Sequence, residues 1–127
     1  MEEELKKAFP SIIERELSPS YIEKHPNPIW DVPEISLLKA IPLYMLWCVE
    51  NKGNEGALVF EGTISALNNY ARARNSEIQW QNFKYQCTEK QIEVVILFLI
   101  WCRENLILDY EPELSRAIKN WQGVSGS

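Results

Sequence analysis

The sequence predicts an all-α protein, a compact bundle of five to six helices around a central apolar helix at about residues 88–105. Two observations predict this fold class. The segment from Thr88 to Arg103 begins with a helix-capping pattern and continues into nine uninterrupted apolar residues, Val94 to Cys102. Most other segments repeat apolar residues every three or four positions, as amphipathic helices do. The chain shows no convincing hairpin or β-α-β pattern that would indicate a sheet.

The central helix is marked at both ends. Thr88 and Gln91 have the spacing of a capping box, in which each side chain satisfies a backbone N–H at the helix start. Glu89 lies in the first turn and Arg103 near the last, an arrangement that complements the helix dipole. The apolar run is much shorter than the roughly 20 residues that a membrane span needs, so we interpret it as a core helix.

One side of this helix has uncertain cover. At 3.6 residues per turn, Leu97 and Ile100 share a side that has Glu93 and Glu104 at its ends. A helix that is apolar all round must be covered all round. We expect the chain's other helices to provide that cover, and a homodimer through Leu97 and Ile100 is the alternative.

Further helices are predicted before the central one. A helix over about Glu3 to Glu16 is bent or split by Pro10. Ser18 and Pro19 have the pattern of an N-cap followed by proline at the first helical position, and the short helix they start ends in the Pro-rich stretch 25–28.

The middle of the chain contains a proline inside a helical pattern. Residues from Pro33 to Asn51 have helical spacing, but Pro42 disfavours helix at the residue before it. We therefore expect a break there and a second helix from Pro42 to about Lys52, with Gly53 as its C-terminal cap. Asn54 is then the predicted cap of the next helix.

The last elements are predicted from spacing and turn residues. The next helix has apolar residues at helical spacing, namely Ala57, Phe60, Ile64, Leu67 and Ala71. Residues 75–86 form a predicted loop, 106–108 are the one place where a short strand is conceivable, and Pro112 opens a final helix that Gly123 ends.

Length and composition predict one domain. The chain has 127 residues and a mass of 14.8 kDa, enough to bury about two-thirds of the unfolded surface. We assign residues 1–122 to a single helical domain and 123–127 to a disordered tail. The N-terminus lacks the apolar region of a signal peptide, and three cysteines cannot all pair within the chain. Both observations favour the cytoplasm.

The arrangement of several core and capping residues resembles a family of small, uncharacterised bacterial helical proteins. The residues that carry the resemblance are Ala8-Phe9, Ile41-Pro42-Leu43-Tyr44-Met45, Phe83, Thr88-Glu89-Lys90-Gln91, Val94, Val95, Phe98 and Leu99. They extend over about two-thirds of the chain. The family's function is unassigned, so the resemblance implies a compact bacterial fold and no chemistry.

Residue types that carry catalysis and metal binding are scarce. His25 is the only histidine, and the cysteines have no C-x-x-C spacing, so the sequence predicts neither a metal site nor a cofactor. Asp109, Glu111 and Glu113 alternate like the start of a calcium loop but lack its glycine and final glutamate. An enzyme whose site is assembled by folding stays an alternative, with Cys87 or a carboxylate pair as its chemistry. Cys87 directly precedes a helix N-terminus, which can lower a thiol pKa.

One segment is locally basic in an acidic chain whose formal net charge is -5. This basic aromatic segment, residues 70–90, mixes cations with large aromatic side chains, the residue types that dominate protein-interface hot spots. Its candidate partner-binding residues are Arg72, Arg74, Trp80, Phe83, Lys84 and Tyr85. The alternative is that the aromatic residues pack the segment onto the bundle.

The predicted function is therefore binding without catalysis. We expect a small cytoplasmic protein that binds another macromolecule, most simply a protein, in an accessory, regulatory or immunity-type role. Stacking of single-stranded nucleic acid on the basic aromatic segment is a further alternative, but the overall charge opposes attraction to phosphate. A membrane partner is not predicted.

Overall fold

The computed structural model describes residues 1–28, 37–54, 57–70, 83–107 and 109–123. Within these ranges the chain forms seven α-helices and one 3-10 helix, and no strand. The helices are α1 (Glu2–Ala8), the 3-10 helix (Pro10–Glu14), α2 (Pro19–Lys24), α3 (Leu37–Glu50), α4 (Leu58–Tyr70), α5 (Phe83–Gln86), α6 (Glu89–Asn105) and α7 (Glu113–Gln122). The all-α fold class is confirmed, and the seven α-helices of the described ranges include one that was not predicted, the short helix α5.

The first helical region is split at proline, as the sequence predicts. α1 ends at Ala8, and Pro10 begins the 3-10 helix, because proline at a first helical position loses no helical hydrogen bond. Arg15 then ends the 3-10 helix in the left-handed region at φ 46°. The Ser18 side chain accepts a hydrogen bond from the Tyr21 N–H at 3.0 Å, which confirms the predicted cap of α2.

The predicted break at Pro42 is wrong. α3 runs continuously from Leu37 to Glu50 with Pro42 inside it. Every residue from Ala40 to Cys48 is buried, so packing on all sides compensates for a penalty of roughly 3 kcal/mol for proline within a helix. The prediction for Gly53 is also wrong, since the helix ends three residues earlier. The Asn51 side chain there donates to the Trp47 carbonyl oxygen at 2.9 Å.

Two further predictions need correction between α3 and α6. The Asn54 carbonyl oxygen, not its side chain, accepts the Ala57 N–H at 3.1 Å before α4 begins. The predicted loop at 75–86 contains helix α5 at its end, while residues 75–82 lie outside the described ranges. α5 forms because Phe83 is fully buried and fixes this turn against the core.

The start of α6 confirms the capping box. The Thr88 hydroxyl accepts from the Gln91 N–H at 3.2 Å, and the Gln91 amide oxygen accepts from the Thr88 N–H at 2.9 Å. The amide nitrogen of Gln91 also donates to the Ala8 carbonyl oxygen at 3.0 Å. One side chain therefore caps α6 and joins it to the end of α1.

The C-terminal helix is tied to α4 by polar and aromatic contacts. Gly123 ends α7 with φ 69°, the left-handed conformation that glycine adopts readily. The Trp121 indole N–H donates to the Leu67 carbonyl oxygen at 2.9 Å, and the Asn120 amide donates to the Asn68 side-chain oxygen at 2.8 Å. The possible strand at 106–108 is not formed at its described residues, 106 and 107.

The most deeply buried helix is α3, whereas the sequence predicts that α6 lies at the centre. α4 packs against α7 and α3, α6 packs against α7, and α1 contacts both α3 and α6. α3 is covered on all sides over nine consecutive residues, 40–48, whereas α6 buries five side chains and leaves Leu97 47% exposed. The core therefore surrounds α3. In the described ranges no helix combines the length and apolarity that crossing a membrane requires.

Candidate functional site

Half of the predicted contact residues can be located. Arg72, Arg74 and Trp80 lie outside the described residues, so their role stays a prediction. Phe83 is fully buried, with its ring edge-on to Trp121 at a centroid distance of 5.8 Å and an angle of 65°. This burial removes Phe83 from the predicted contact residues and makes it part of the core.

The next two residues are nearer to the surface. The Lys84 ammonium donates to the Asn120 carbonyl oxygen at 2.7 Å and lies 5.5 Å from the centre of the Tyr85 ring. A cation near the C-terminal carbonyls of α7 is stabilised by the helix dipole, which gives Lys84 a structural role. Tyr85 is 40% exposed and is the described residue of this set that presents most surface.

The pKa of the Cys87 thiol is raised, whereas the position of Cys87 before a helix N-terminus predicts a lowered pKa. It is half-buried, and its nearest hydrogen-bond acceptor is the Phe83 carbonyl oxygen, 3.5 Å from the sulfur. Burial raises the pKa of Cys87 to about 12, because the thiolate loses solvation. A nucleophilic cysteine needs a lowered pKa, so the surroundings do not favour the enzyme alternative that uses Cys87.

Alkylation tests this directly. In the folded protein at about pH 7.5, we expect iodoacetamide to modify Cys87 at least roughly tenfold more slowly than in the same chain unfolded in urea, because only the thiolate reacts. The measurement is the time course of modification of the peptide that contains Cys87, followed by mass spectrometry. Folded-state modification as fast as that of the unfolded chain would restore Cys87 as a candidate nucleophile.

The other reactive side chains are occupied or buried. The His25 ring stacks on Tyr21 at 4.2 Å, and its Nδ1 lies 3.0 Å from the Tyr21 carbonyl oxygen. Cys48 and Cys102 are buried, and burial raises the pKa of both thiols, that of Cys48 to about 12. Across the described residues, no three histidine, cysteine or acidic side chains come together as a metal site would require.

An apolar groove lies on the exposed side of α6, and we call it the α6 groove. Its volume is about 210 Å³. Leu97, Ile100 and Trp101 form its apolar surface, and Trp101 is held by stacking on Phe98 at a centroid distance of 6.3 Å. Met1, Glu4, Glu104 and Asn105 line the remainder, so the groove follows α6 beside the start of α1.

The groove carries more acidic than basic groups. Glu4 pairs with the N-terminal amine at 3.2 Å, and the pKa of Glu4 is lowered by its backbone hydrogen bond first and by that amine second. Glu104 also lines the groove, and Glu93 lies one turn before Leu97 on the same side of α6. A carboxyl that acts as a general acid near neutral pH needs a raised pKa, so the lowered pKa of Glu4 does not favour that role for Glu4.

A second depression lies where the loop after α2 meets α4. Its volume is about 270 Å³, and its lining residues are Pro26, Asn27, Leu58, Glu61, Gly62 and Ser65. Glu61 is the single carboxylate among them, so this depression does not supply the carboxylate pair of the enzyme alternative. Of the two cavities, the α6 groove has the larger apolar surface.

In comparisons with known proteins, no family model, no curated protein and no solved structure matches the chain. The resemblance to a bacterial family therefore stays a prediction. The α6 groove was in part accessible to sequence reasoning, because Leu97 and Ile100 stood on the side of uncertain cover. Trp101 and Glu4 were not predicted, since their place in the groove depends on how α1 packs beside α6.

Proposed function

We propose that this protein works by binding another protein and that the α6 groove is its contact surface. The observation that carries the proposal is the exposure of Leu97, which is 47% accessible although it lies between the buried residues Val95 and Phe98 in the apolar stretch of α6. Three neighbouring apolar side chains, Leu97, Ile100 and Trp101, line one concave surface. Apolar surface rimmed by polar groups marks protein-interaction sites where it is extensive, and a partner would extend this surface by contacting the partly exposed Ile100 and Trp101.

Other exposed apolar residues do not form such a surface. Ile13, Leu58 and Ile107 are also exposed, but none of them lines the α6 groove. Single exposed apolar side chains are normal on protein surfaces and need no partner. The groove differs because its apolar residues are contiguous and include an aromatic side chain, a residue type enriched at interface hot spots.

The proposed role is that of a small cytoplasmic accessory or regulatory protein with no catalysis of its own. The raised pKa of Cys87 disfavours the alternative in which that thiol is a catalytic nucleophile. The basic aromatic segment is a second candidate surface, and its residues Arg72, Arg74 and Trp80 remain predictions. Among the candidate residues of that segment that the structure describes, Phe83 is buried and Lys84 donates to the Asn120 carbonyl oxygen, so neither favours single-strand binding.

Affinity capture tests the proposal with a matched pair of variants. Leu97→Gln is expected to reduce capture of specific partners from a lysate of the producing cells at least about tenfold, because the loss of a hot-spot residue at the centre of an interface costs about 2 kcal/mol or more. The measurement is quantitative mass spectrometry of the captured proteins relative to bait.

Ile13→Gln is the control, since it makes the same kind of change at a residue that is 71% exposed and lies outside the groove. Circular dichroism verifies that both variants fold. Equal capture by the wild type and Leu97→Gln would show that the groove is not the contact surface. Selective loss with an Arg72, Arg74, Trp80 triple alanine variant would assign binding to the basic aromatic segment instead.

A further inference from the structure

Along the exposed side of α6, two apolar residues lie between two glutamates. Glu93, Leu97, Ile100 and Glu104 follow one another at intervals of four, three and four residues. These intervals keep all four side chains on one side of a helix. At a rise of 1.5 Å per residue, the two carboxylates are separated by about 16 Å along the helix axis, with the two apolar residues between them.

The carboxylates at both ends remain available to a partner. Lys90 approaches Glu93 at 3.8 Å, but their side chains are 69% and 67% exposed, and an exposed ion pair of this kind contributes little. Among the described residues, Glu104 forms no ion pair with a basic side chain within 4 Å. Glu4 is compensated by the N-terminal amine and adds little net charge.

A second copy of the chain fits this pattern poorly. If two α6 helices pack antiparallel about a twofold axis between Leu97 and Ile100, Glu93 of one copy faces Glu104 of the other, twice. If they pack parallel about a twofold axis, each glutamate faces its own equivalent. Both symmetric arrangements bring like charges together, which disfavours association.

A helix with basic residues at the same interval fits it well. Helices bind in apolar grooves through anchors spaced three or four residues apart, and they pack on another helix at 8–10 Å between axes. A partner helix that carries lysine or arginine eleven residues apart, with apolar residues at the fourth and seventh positions after the first, places its cations opposite Glu93 and Glu104. Its apolar side chains then reach Leu97, Ile100 and Trp101.

We propose that the α6 groove binds an amphipathic helix of a partner protein whose apolar anchors are bracketed by two basic residues about 16 Å apart. This inference rests on the proposed function, because it specifies the partner of the same surface. The apolar anchors provide the affinity, and the bracketing charges select the partner and its orientation.

Synthetic helical peptides test the charge requirement. The first peptide has lysine at the two bracketing positions and leucine at the two anchor positions, and the second replaces both lysines with glutamate. Fluorescence anisotropy with dye-labelled peptides is expected to show that the wild-type protein binds the lysine peptide at least about tenfold more tightly at low salt. Added salt should reduce this preference, because the charges are exposed.

Charge reversal on the protein provides the decisive comparison. The double variant Glu93→Lys/Glu104→Lys is expected to prefer the glutamate peptide, and Leu97→Gln is expected to lose both. Glu23→Lys/Glu61→Lys changes the overall charge equally at two exposed residues outside the groove and is expected to keep the wild-type preference. Circular dichroism verifies the fold of each variant.

The remaining outcomes overturn the inference in distinguishable ways. If the wild type binds both peptides equally and Leu97→Gln binds neither, the requirement for basic residues in the partner is wrong, but the proposed function is not contradicted. If the wild type binds neither peptide, the inference that the partner is a basic helix is wrong. The capture experiment still tests the proposed function independently. Self-association of the wild type in sedimentation velocity, lost in Leu97→Gln, would assign the groove to a second copy.

Discussion

Replacement of Trp121 by alanine is expected to lower the free energy of unfolding by about 4 kcal/mol, the largest effect of any single substitution proposed for this chain. Trp121 is 1% exposed and packs edge-on against Phe83 at 5.8 Å between ring centres. Its indole N–H donates to the Leu67 carbonyl oxygen of α4 at 2.9 Å. Truncation removes the buried area and the hydrogen bond together and leaves a cavity between α4 and α7.

Urea denaturation followed by circular dichroism measures this change. Trp121→Phe keeps a ring in the core and loses the hydrogen bond and part of the volume, so we expect a smaller loss of about 1–2 kcal/mol. Gln122→Ala, at the exposed neighbouring residue, is the control and should change stability by less than about 0.5 kcal/mol. A loss below about 1 kcal/mol for Trp121→Ala would show that the contact between α4 and α7 contributes little.

Gly62→Ala is expected to destabilise the protein by about 2 kcal/mol, although alanine is the better helix former. A Cβ atom at position 62 would lie 2.1 Å from the Pro26 carbonyl oxygen and 2.9 Å from the carbon that bears it. These are backbone atoms, so the loop after α2 would have to move away from α4. Overpacking costs roughly 1–3 kcal/mol, and a contact this close with backbone atoms places the cost near the upper end, so that about 2 kcal/mol remains after a gain of about 1 kcal/mol in helix propensity.

Gly53→Ala is the matched control for this substitution. A Cβ atom at Gly53 would meet nothing within 4 Å, and the residue is not in the left-handed region, so alanine should leave stability unchanged or raise it by about 0.5 kcal/mol. Thermal and urea unfolding of both variants are compared with the wild type. If Gly62→Ala proves as stable as Gly53→Ala, the close approach of the Pro26 loop to α4 is not maintained in solution.

Three helix ends were predicted well because they depend on neighbouring residues, whereas the predicted caps at Gly53 and Asn54 were wrong. Ser18 caps α2, Thr88 and Gln91 close the capping box of α6, and Gly123 ends α7, all through contacts within a few residues. Pro42 was misjudged because its local preference opposes helix, while the burial of α3 on all sides favours it. The role of Gly62 was not accessible either, since its neighbour Pro26 is distant in sequence.

The contact surface was predictable only in part, because it also depends on contacts between residues that are distant in sequence. Composition identified the basic aromatic segment, but composition does not distinguish a surface aromatic from a core one, and Phe83 is a core residue. Periodicity placed Leu97 and Ile100 on a separate side of α6. Whether that side is covered depends on which helices pack there, and this is decided by contacts between segments far apart in the chain.

The amide of Gln91 uses both of its ends. Its oxygen completes the capping box with Thr88, and its nitrogen donates to the Ala8 carbonyl oxygen at the end of α1. A glutamate would complete the same box equally well. It has no hydrogen to donate, however, and its charge would face that carbonyl oxygen. Glutamine at this position therefore ties the C-terminal end of α1 to the first turn of α6, a link between helices that glutamate could not make.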